Sequence, residues 1–391
     1  MNGALANVRI IDLADERGIY GTKLLADLGA DVVRVEPPGG DPLRQRGPFT
    51  EAVDGDGQGA SLYYAYMASS RRSFVVDPGD ETSRHQLRAL IERADVIIAT
   101  DDHFCAEWLD LPTLRESHQV YVDITSFGRE GPWADYLAPD LVAGALGGSL
   151  ATTGAADTPP LKSFGELNFM VSGSYVAIAA LSALFNKRAE GAGQRVGVSV
   201  HECIASCLEQ VFMFYWYHEV MGRPEGQVLP RRGATHWSNA YTVMNGQDGS
   251  IMITPTPDFD KQLAWLIEEE AHGDLLDEQY MDPENIMLLV GRMMQLLGEW
   301  VSGKSVESLF HEAQSRHIPY GWVQPLARVA ENPQLAARQW WVPVQIGDQQ
   351  INAPGAPYHL SATPWALSGP SEAGAQTQEI LADIGWSTDN D

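Results

Sequence analysis

The sequence predicts an α/β protein in which a large Rossmann-like domain, built on a parallel sheet, is joined to a smaller α+β domain. Short β-branched runs alternate with helical patterns through the first half of the chain. Glycine and proline clusters separate these segments, as expected where a chain turns between strand and helix. The length of 391 residues exceeds what one small core needs and favours two domains.

The first strand–helix units begin near the N-terminus. Val8–Leu13 predicts a strand, a loop follows, and the helical pattern Thr22–Leu28 is stopped by Gly29. Asp31–Val35 predicts a second strand, which ends at a Pro-Pro-Gly-Gly turn. The alternation continues with predicted strands at Ser73–Val76, Asp95–Ala99, Val120–Ile124 and Val196–Val200, and with predicted helices at Thr82–Arg93, Phe169–Phe185 and Glu202–Tyr217. Strands separated by helices pair in parallel, so one sheet with helices on both faces is expected.

The region from 225 to 325 has a different pattern. A hairpin-like stretch, Ala240–Pro255, precedes three amphipathic helical segments, near Phe259–Glu270, Asn285–Gly298 and Ser305–Arg316. We therefore expect a small α+β domain at 225–325. Residues 1–224 form the large domain, and residues 326–391 complete it.

The net charge of −26, from 26 basic and 52 acidic residues, excludes some partners. A field of this sign repels nucleic acid and anionic lipid, so neither is expected as a partner. Three cysteines in this length argue against a disulfide framework and for a reducing compartment. The N-terminus lacks a signal-peptide pattern, and Phe169–Phe185 contains serines and a glycine. It is therefore expected to be a buried core helix of a cytoplasmic protein.

Several segments carry a resemblance to a known family. Leu24–Arg44 is the most specific of them, and Ile124–Pro132 (ITSFGREGP) and Pro354–Leu360 (PGAPYHL) extend the match over nearly the whole chain. Together they resemble the family III (formyl-CoA transferase-like, CaiB/BaiF) CoA-transferases. The resemblance implies two protomers interlocked like linked rings. It also implies a coenzyme A thioester as a substrate, with no permanently bound cofactor.

The resemblance also suggests residues that contact coenzyme A. Arg17 lies in the loop after the first strand, where parallel sheets place anionic ligands. Either it binds a CoA phosphate, or it forms an ion pair with Asp15 or Glu16; the sequence leaves both open. Four further residues are candidates. Arg71 and Arg72 match a family motif but could instead be exposed arginines next to a strand. His103 and Phe104 stand in the place of another family motif, beside two acids that disfavour an anion.

The start of the helix at Phe169 departs from the family pattern. Family members place an Asp four residues before a Gly here, and that carboxylate attacks the acyl-CoA thioester. Counting back from Gly173 puts Phe169 at the Asp position, and the nearest acid is Glu166. Phenylalanine cannot act as a nucleophile, and a misplacement on the order of 1 Å can cost ~100-fold in rate. Glu166 is therefore either a displaced nucleophile or an acid that stabilises the helix start.

These observations leave four functional hypotheses open. The first, which we favour, is a CoA-transferase subunit without its own nucleophile, similar to the Asp-lacking subunit of the succinyl-CoA:benzylsuccinate CoA-transferases. Its partner would be a homologous subunit that carries the Asp. Its acceptor would be an organic acid, for which an aromatic dicarboxylic acid is one option. The others are a homodimeric transferase that uses Glu166, a 2-methylacyl-CoA racemase, and a non-catalytic CoA-binding scaffold. The racemase would need a histidine, and none lies between His118 and His201.

Two other patterns carry less weight. Cys203 and Cys207 are one helical turn apart, but no second pair at zinc spacing accompanies them, so no metal site is expected. The G-x-S-x-G motif of serine hydrolases does not occur in the sequence.

Overall fold

The computed structural model describes residues 3–51, 59–155, 157–220, 242–254 and 259–385. The chain divides into two compact units. The first comprises Met1–Ser149, Lys162–Phe212 and Ala337–Asp391, and the second comprises Leu150–Leu161 and Met213–Ala336. The expected boundary at 224/225 falls outside the described residues, but the first unit already ends at Phe212, and residues 213–220 group with the second unit. The chain returns to the first unit at Ala337 rather than at 326, and residues 150–161, which we had placed in the large domain, group with the second unit.

The first unit is built on a six-stranded parallel sheet. Its strands are β1 (Arg9–Leu13), β2 (Asp31–Glu36), β3 (Arg72–Val75), β4 (Val96–Thr100), β5 (Val120–Thr125) and β6 (Arg195–Ser199), each within one residue of the predicted bounds. The strand order is β3-β2-β1-β4-β5-β6, and every pairing is parallel. This is the doubly wound order, with its switch point between β1 and β4. The predicted α/β, Rossmann-like fold class is confirmed.

Helices cover both faces of the sheet. The helices of this part of the chain are α1 (Ile19–Asp27), α2 (Leu62–Met67), α3 (Glu81–Glu92), α4 (Leu111–Leu114), α5 (Asp140–Leu146), α6 (Leu167–Glu190), α7 (Val200–Ala205) and α8 (Glu209–Trp216). One core contains residues of α1, α6 and α7, and the opposite core contains residues of α3 and the C-terminal helix. The interior strands are buried on both faces, which explains their continuous apolar sequences.

Two helices differ from the prediction. Helix α1 begins at Ile19, about one turn before the expected start, so the loop after β1 is shorter than predicted. The helix expected at Glu202–Tyr217 is divided into α7, a 3-10 turn and α8. The Ser199 hydroxyl caps α7 early, and the Ser206 hydroxyl donates to the Cys203 carbonyl at 2.8 Å. Such a local bond competes with the regular backbone hydrogen bonds of an α-helix.

Helix α6 passes through the first core and crosses α1 at two glycines. A Cβ atom on Gly173 would lie 2.8 Å from the Gly21 nitrogen, so the two backbones are in direct contact. Among the described residues, α6 is the one helix with the length and apolar composition of a membrane span, a test that core helices also pass. Phe169, Val176, Ala180 and Ala183 are buried in the core, as the sequence predicted for this segment.

The second unit has its own core. A three-stranded antiparallel sheet, β7 (Thr242–Asn245), β8 (Ser250–Ile253) and β9 (Gly321–Val323), packs with helices α9 (Phe259–Glu268), α10 (Ile286–Ser302) and α11 (Val306–Ser315). Helices α12 (Leu326–Ala330) and α13 (Pro333–Ala337) follow. In the first unit, the antiparallel pair β10 (Trp341–Ile346) and β11 (Gln349–Pro354) and helix α14 (Thr377–Asp383) complete the chain.

Candidate active site

The first turn of α6 contains no acid, and Phe169 is part of the core. Its side chain is 3% exposed, and it packs with residues of the sheet and of α1. The Phe169 backbone N–H donates to the Asp140 carboxylate at 3.1 Å. Asp140 also accepts from the Asn168 side chain at 3.0 Å and pairs with Lys162 at 2.9 Å. Asp140 therefore caps the helix whose nucleophile position holds an apolar ring.

Glu166 occupies the position before the first turn of α6, but its side chain makes no capping bond. One carboxylate oxygen pairs with the Arg46 guanidinium, and the other accepts from the Tyr63 hydroxyl at 2.7 Å. The Arg46 guanidinium also lies 4.3 Å from the centre of the Tyr63 ring. Glu166 therefore does not cap α6 through its side chain, because the Asp140 carboxylate accepts from the Phe169 N–H instead. Both oxygens of Glu166 already accept charge-assisted or phenolic hydrogen bonds, which reduce their nucleophilicity.

Arg17 is surrounded by acids. It is 7% exposed and pairs with Asp15 at 2.7 Å, with Asp101 at 2.9 Å, and with Asp102. Burial alone would lower the pKa of Arg17, but the hydrogen bonds and charges of these carboxylates outweigh it and raise the pKa. Of the two alternatives left by the sequence, the ion pair with Asp15 is therefore present, and it extends to two further acids.

A cavity of about 220 Å³ lies at the switch point of the sheet. Its lining includes Leu13 at the end of β1, Val35 of β2 and Thr100 of β4, and also His103 and Phe104. This is the edge at which parallel sheets bind ligands. Four acids, Asp15, Glu16, Asp41 and Asp102, also line it, together with Arg34, which is bound to Asp12 and Asp41. An anionic ligand such as a CoA phosphate would meet mainly carboxylates here.

Two groups on the cavity wall have shifted pKa values. Burial lowers the pKa of His103 to about 4, so the imidazole is neutral near pH 7 and adds no positive charge. Burial also raises the pKa of Glu16, and the nearby charges of Asp15 and Glu166 add to this effect. The shift of Glu16 indicates that the loop after β1 and the start of α6 form one acidic neighbourhood.

Arg71 and Arg72 are not among the residues that line this cavity. Arg71 is 5% exposed; it pairs with Asp12 at 2.5 Å and donates to the Ile19 carbonyl at 2.9 Å. Arg72 lies at the amino end of β3 and pairs with three acids, Asp31, Glu379 and Asp383. Both arginines are therefore engaged within the protein rather than directed at a common ligand site with Arg17.

The structure thus brings His103 and Phe104 to one cavity, beside the acids that hold Arg17, and places Glu166 with Arg46 and Tyr63. The sequence analysis did not identify Arg46 and Tyr63. They lie far from Glu166 along the chain, and neither stands in a motif that could have signalled the contact. The contact of Asp140 with the start of α6 is visible only in three dimensions.

Comparison with known proteins identifies the family. The family model described as CoA-transferase family III matches residues 5–377. The chain is 29% identical to the succinyl-CoA:(R)-benzylsuccinate CoA-transferase subunit BbsE of Thauera aromatica, over 99% of this chain and 95% of that protein. It is 30% identical to a succinyl-CoA:mesaconate CoA-transferase of Haloarcula hispanica, over 92% of this chain and 91% of that protein.

Solved structures agree with this result. A CaiB/BaiF family protein from Brucella suis superimposes with a TM-score of 0.82 at 26% identity, covering 98% of this chain and 100% of the other. A protein from Mycobacterium tuberculosis, at 20% identity, shares the fold with a TM-score of 0.80 over 97% of this chain and 99% of the other. The predicted enzyme class is confirmed by these relatives, which include succinyl-CoA-dependent transferases. The chain belongs to CoA-transferase family III.

Proposed function

We propose that this chain is one subunit of a two-subunit CoA-transferase and that it lacks its own nucleophile. The partner is a homologous subunit that carries the catalytic Asp, and the two chains interlock. The complex transfers CoA from an acyl-CoA such as succinyl-CoA to an organic acid. The observation that carries this proposal is the burial of Phe169 in the core at the start of α6, where the family places a carboxylate.

The contacts of the neighbouring acids support the proposal. An attacking carboxylate needs an accessible oxygen and N–H donors for the oxyanion. Asp140 is 6% exposed and occupied by Lys162, Asn168 and the Phe169 N–H, and Glu166 is occupied by Arg46 and Tyr63. These contacts also disfavour the alternative in which the chain acts alone through Glu166.

The acceptor is proposed to be an aromatic dicarboxylic acid. One of the similar proteins is named as a subunit of a benzylsuccinate CoA-transferase. In α8 the aromatic side chains of Tyr215 and Trp216 are 52% and 68% exposed, and such side chains suit a bulky apolar acid. Trp237, another aromatic residue of this region, lies outside the described residues.

The test is turnover with and without the partner. The chain would be purified alone and together with a co-expressed homologue that carries Asp at the start of the helix equivalent to α6. We expect CoA exchange between succinyl-CoA and benzylsuccinate only in the co-purified pair. Robust exchange by the isolated chain would contradict the proposal.

A substitution in this chain separates the two transferase alternatives. The pair containing Glu166→Gln should retain exchange, because the attacking carboxylate belongs to the partner. If Glu166 were the nucleophile, the same substitution would abolish exchange, and hydroxylamine trapping with acyl-CoA would modify Glu166 in the unsubstituted chain.

A further inference from the structure

We infer that Arg46 and Tyr63 form a binding site for the carboxylate of a small organic acid, and that Glu166 occupies this site when no acid is bound. The inference rests on the proposed function in one respect: the acid would be a substrate or product of the transferase reaction. The contact geometry itself comes from this chain alone.

The first argument is the arrangement of donors. The Arg46 guanidinium bonds one oxygen of the Glu166 carboxylate, while the Tyr63 hydroxyl donates to the other at 2.7 Å. An arginine and a phenol that converge on the two oxygens of one carboxylate match the geometry of carboxylate recognition. The guanidinium of Arg46 lies over the Tyr63 ring, 4.3 Å from its centre, and this cation–π contact helps to hold the guanidinium in place.

The second argument is that Glu166 can leave without loss of the helix. The Glu166 side chain makes no capping bond, because the Asp140 carboxylate accepts from the Phe169 N–H. The turn immediately before it is exposed, and Gly165 has a φ of +72° with open space around its Cα. The side chain of Glu166 is therefore attached to a part of the chain that little packing restrains.

The third argument is access and charge. The side chains of Arg46 and Glu166 are 37% and 16% exposed, so a solute can reach the pair. Burial and then the charges of Asp15 and Glu166 raise the pKa of Glu16, which indicates that acids crowd this neighbourhood. An incoming carboxylate that displaces Glu166 takes its place as the negative charge beside Arg46. The Glu166 carboxylate then moves into solvent, away from Glu16.

Titration calorimetry of the isolated chain with succinate as the probe tests the inference. Glu166→Gln should bind succinate roughly three- to fivefold more tightly than the wild type, because Arg46 no longer has an internal competitor and a partly exposed ion pair opposes the ligand by no more than about this factor. The double variant Glu166→Gln/Arg46→Gln should lose that gain, and succinamide should not bind. Glu130→Gln is the matched control: it also removes one negative charge, from an exposed side chain, and its affinity for succinate should stay within about twofold of wild type.

Two outcomes would overturn the inference: no gain in Glu166→Gln with an unchanged circular dichroism spectrum, or a gain that persists in the double variant. If Glu166→Gln fails to fold, Glu166→Ala is judged by the same criteria. Because these measurements use the isolated chain and no acyl-CoA, their failure leaves the turnover test of the paired subunits unaffected. Failure of the turnover test likewise leaves the succinate titration to be judged separately.

Discussion

Two arginine–carboxylate clusters of the first unit differ in how the protein uses them. In the core cluster, Asp12 is fully buried and pairs with Arg34 at 2.9 Å and with Arg71 at 2.5 Å. In the surface cluster, Arg46 and Tyr63 hold Glu166 at the edge of the protein, where Arg46 is 37% exposed. Both clusters contain residues that a sequence motif alone could assign to coenzyme A or to catalysis.

The difference lies in what could replace each partner. No solute can reach Asp12, so removing its charge would leave the buried Arg71 guanidinium without its counter-charge and Arg34 with Asp41 alone. At Glu166, water or another carboxylate can take the vacated position. Exposure and the availability of a substitute therefore distinguish a structural ion pair from a binding group, even when the residue types are the same.

The largest expected effect is that of Asp12→Asn. The substitution breaks a buried ion-pair network and should lower the free energy of unfolding by about 3–5 kcal/mol. Urea denaturation measures the change. The matched control is Asp31→Asn, because Asp31 pairs with Arg72 at 2.8 Å but its side chain is 32% exposed. The control should cost less than about 1 kcal/mol, and equal losses in the two variants would erase the distinction between the clusters.

The second prediction concerns pH and the same buried network. Glu36 accepts from Arg44 at 2.7 Å and from Ser73 at 2.6 Å. Burial disfavours the charged carboxylate, but these hydrogen bonds outweigh it and lower the pKa of Glu36 from 4.5 to about 2. A lowered pKa stabilises the fold fully above about pH 4.5, and this contribution is lost as the pH falls toward 2.

The size of that contribution is about 3 kcal/mol. Unfolding free energies measured between pH 5.5 and 2.5 should fall steeply for the wild type and less steeply for Glu36→Gln, which has no proton to gain at this position. A variant that keeps the full wild-type slope would contradict the assignment to Glu36.

Two helix glycines show a similar contrast in packing: Gly173 in α6 is in close contact with α1, and Gly291 in α10 has open space around it. The N-terminal part of α6 packs directly against α1, where a Cβ on Gly173 would lie 2.8 Å from both the Gly21 nitrogen and the Tyr20 Cβ. Gly173→Ala should therefore destabilise the fold by about 1–3 kcal/mol. Gly291→Ala in α10 is the control, since no atom lies within 4 Å of the added Cβ. It should stabilise the protein by up to about 1 kcal/mol in a thermal-unfolding experiment.

Strand and helix periodicity predicted the sheet well, because buried parallel strands are continuous apolar runs with clear turn signals. The strands of the large unit lie within one residue of their predicted bounds. The start of α1 and the break between α7 and α8 were missed. The break depends on local bonds, the Ser199 cap and the Ser206 hydroxyl, that periodicity does not register.

The site was harder to predict, because side-chain partners depend on tertiary contacts. Counting residues identified Phe169 as the departure from the family pattern, and its burial agrees with an apolar role. The sequence could not show that Arg71 faces Asp12 in the core, or that three acids hold Arg17. A motif alone therefore does not show whether a basic residue binds an anion. Its neighbours in the folded protein decide this.

The smallest expected effect is that of Arg46→Gln on stability. Its ion pair with Glu166 is partly exposed and screened by solvent, so the free energy of unfolding should change by less than about 1 kcal/mol. Arg71→Gln is the matched comparison within the core cluster and should cost several times more, because it leaves Asp12 with less compensation in a buried site. The free energies of unfolding of both variants would be measured by urea denaturation in the same buffer.

The Arg46 result also bears on the inferred carboxylate site. A ligand can displace Glu166 only if the contact between Glu166 and Arg46 contributes little to folding, since a strongly stabilising contact would oppose the exchange by the same free energy. A loss in Arg46→Gln as large as that in Arg71→Gln would therefore make the surface cluster structural as well. A small loss, together with a large one for Arg71→Gln, would leave Arg46 free to serve binding, which is the property that separates the two clusters.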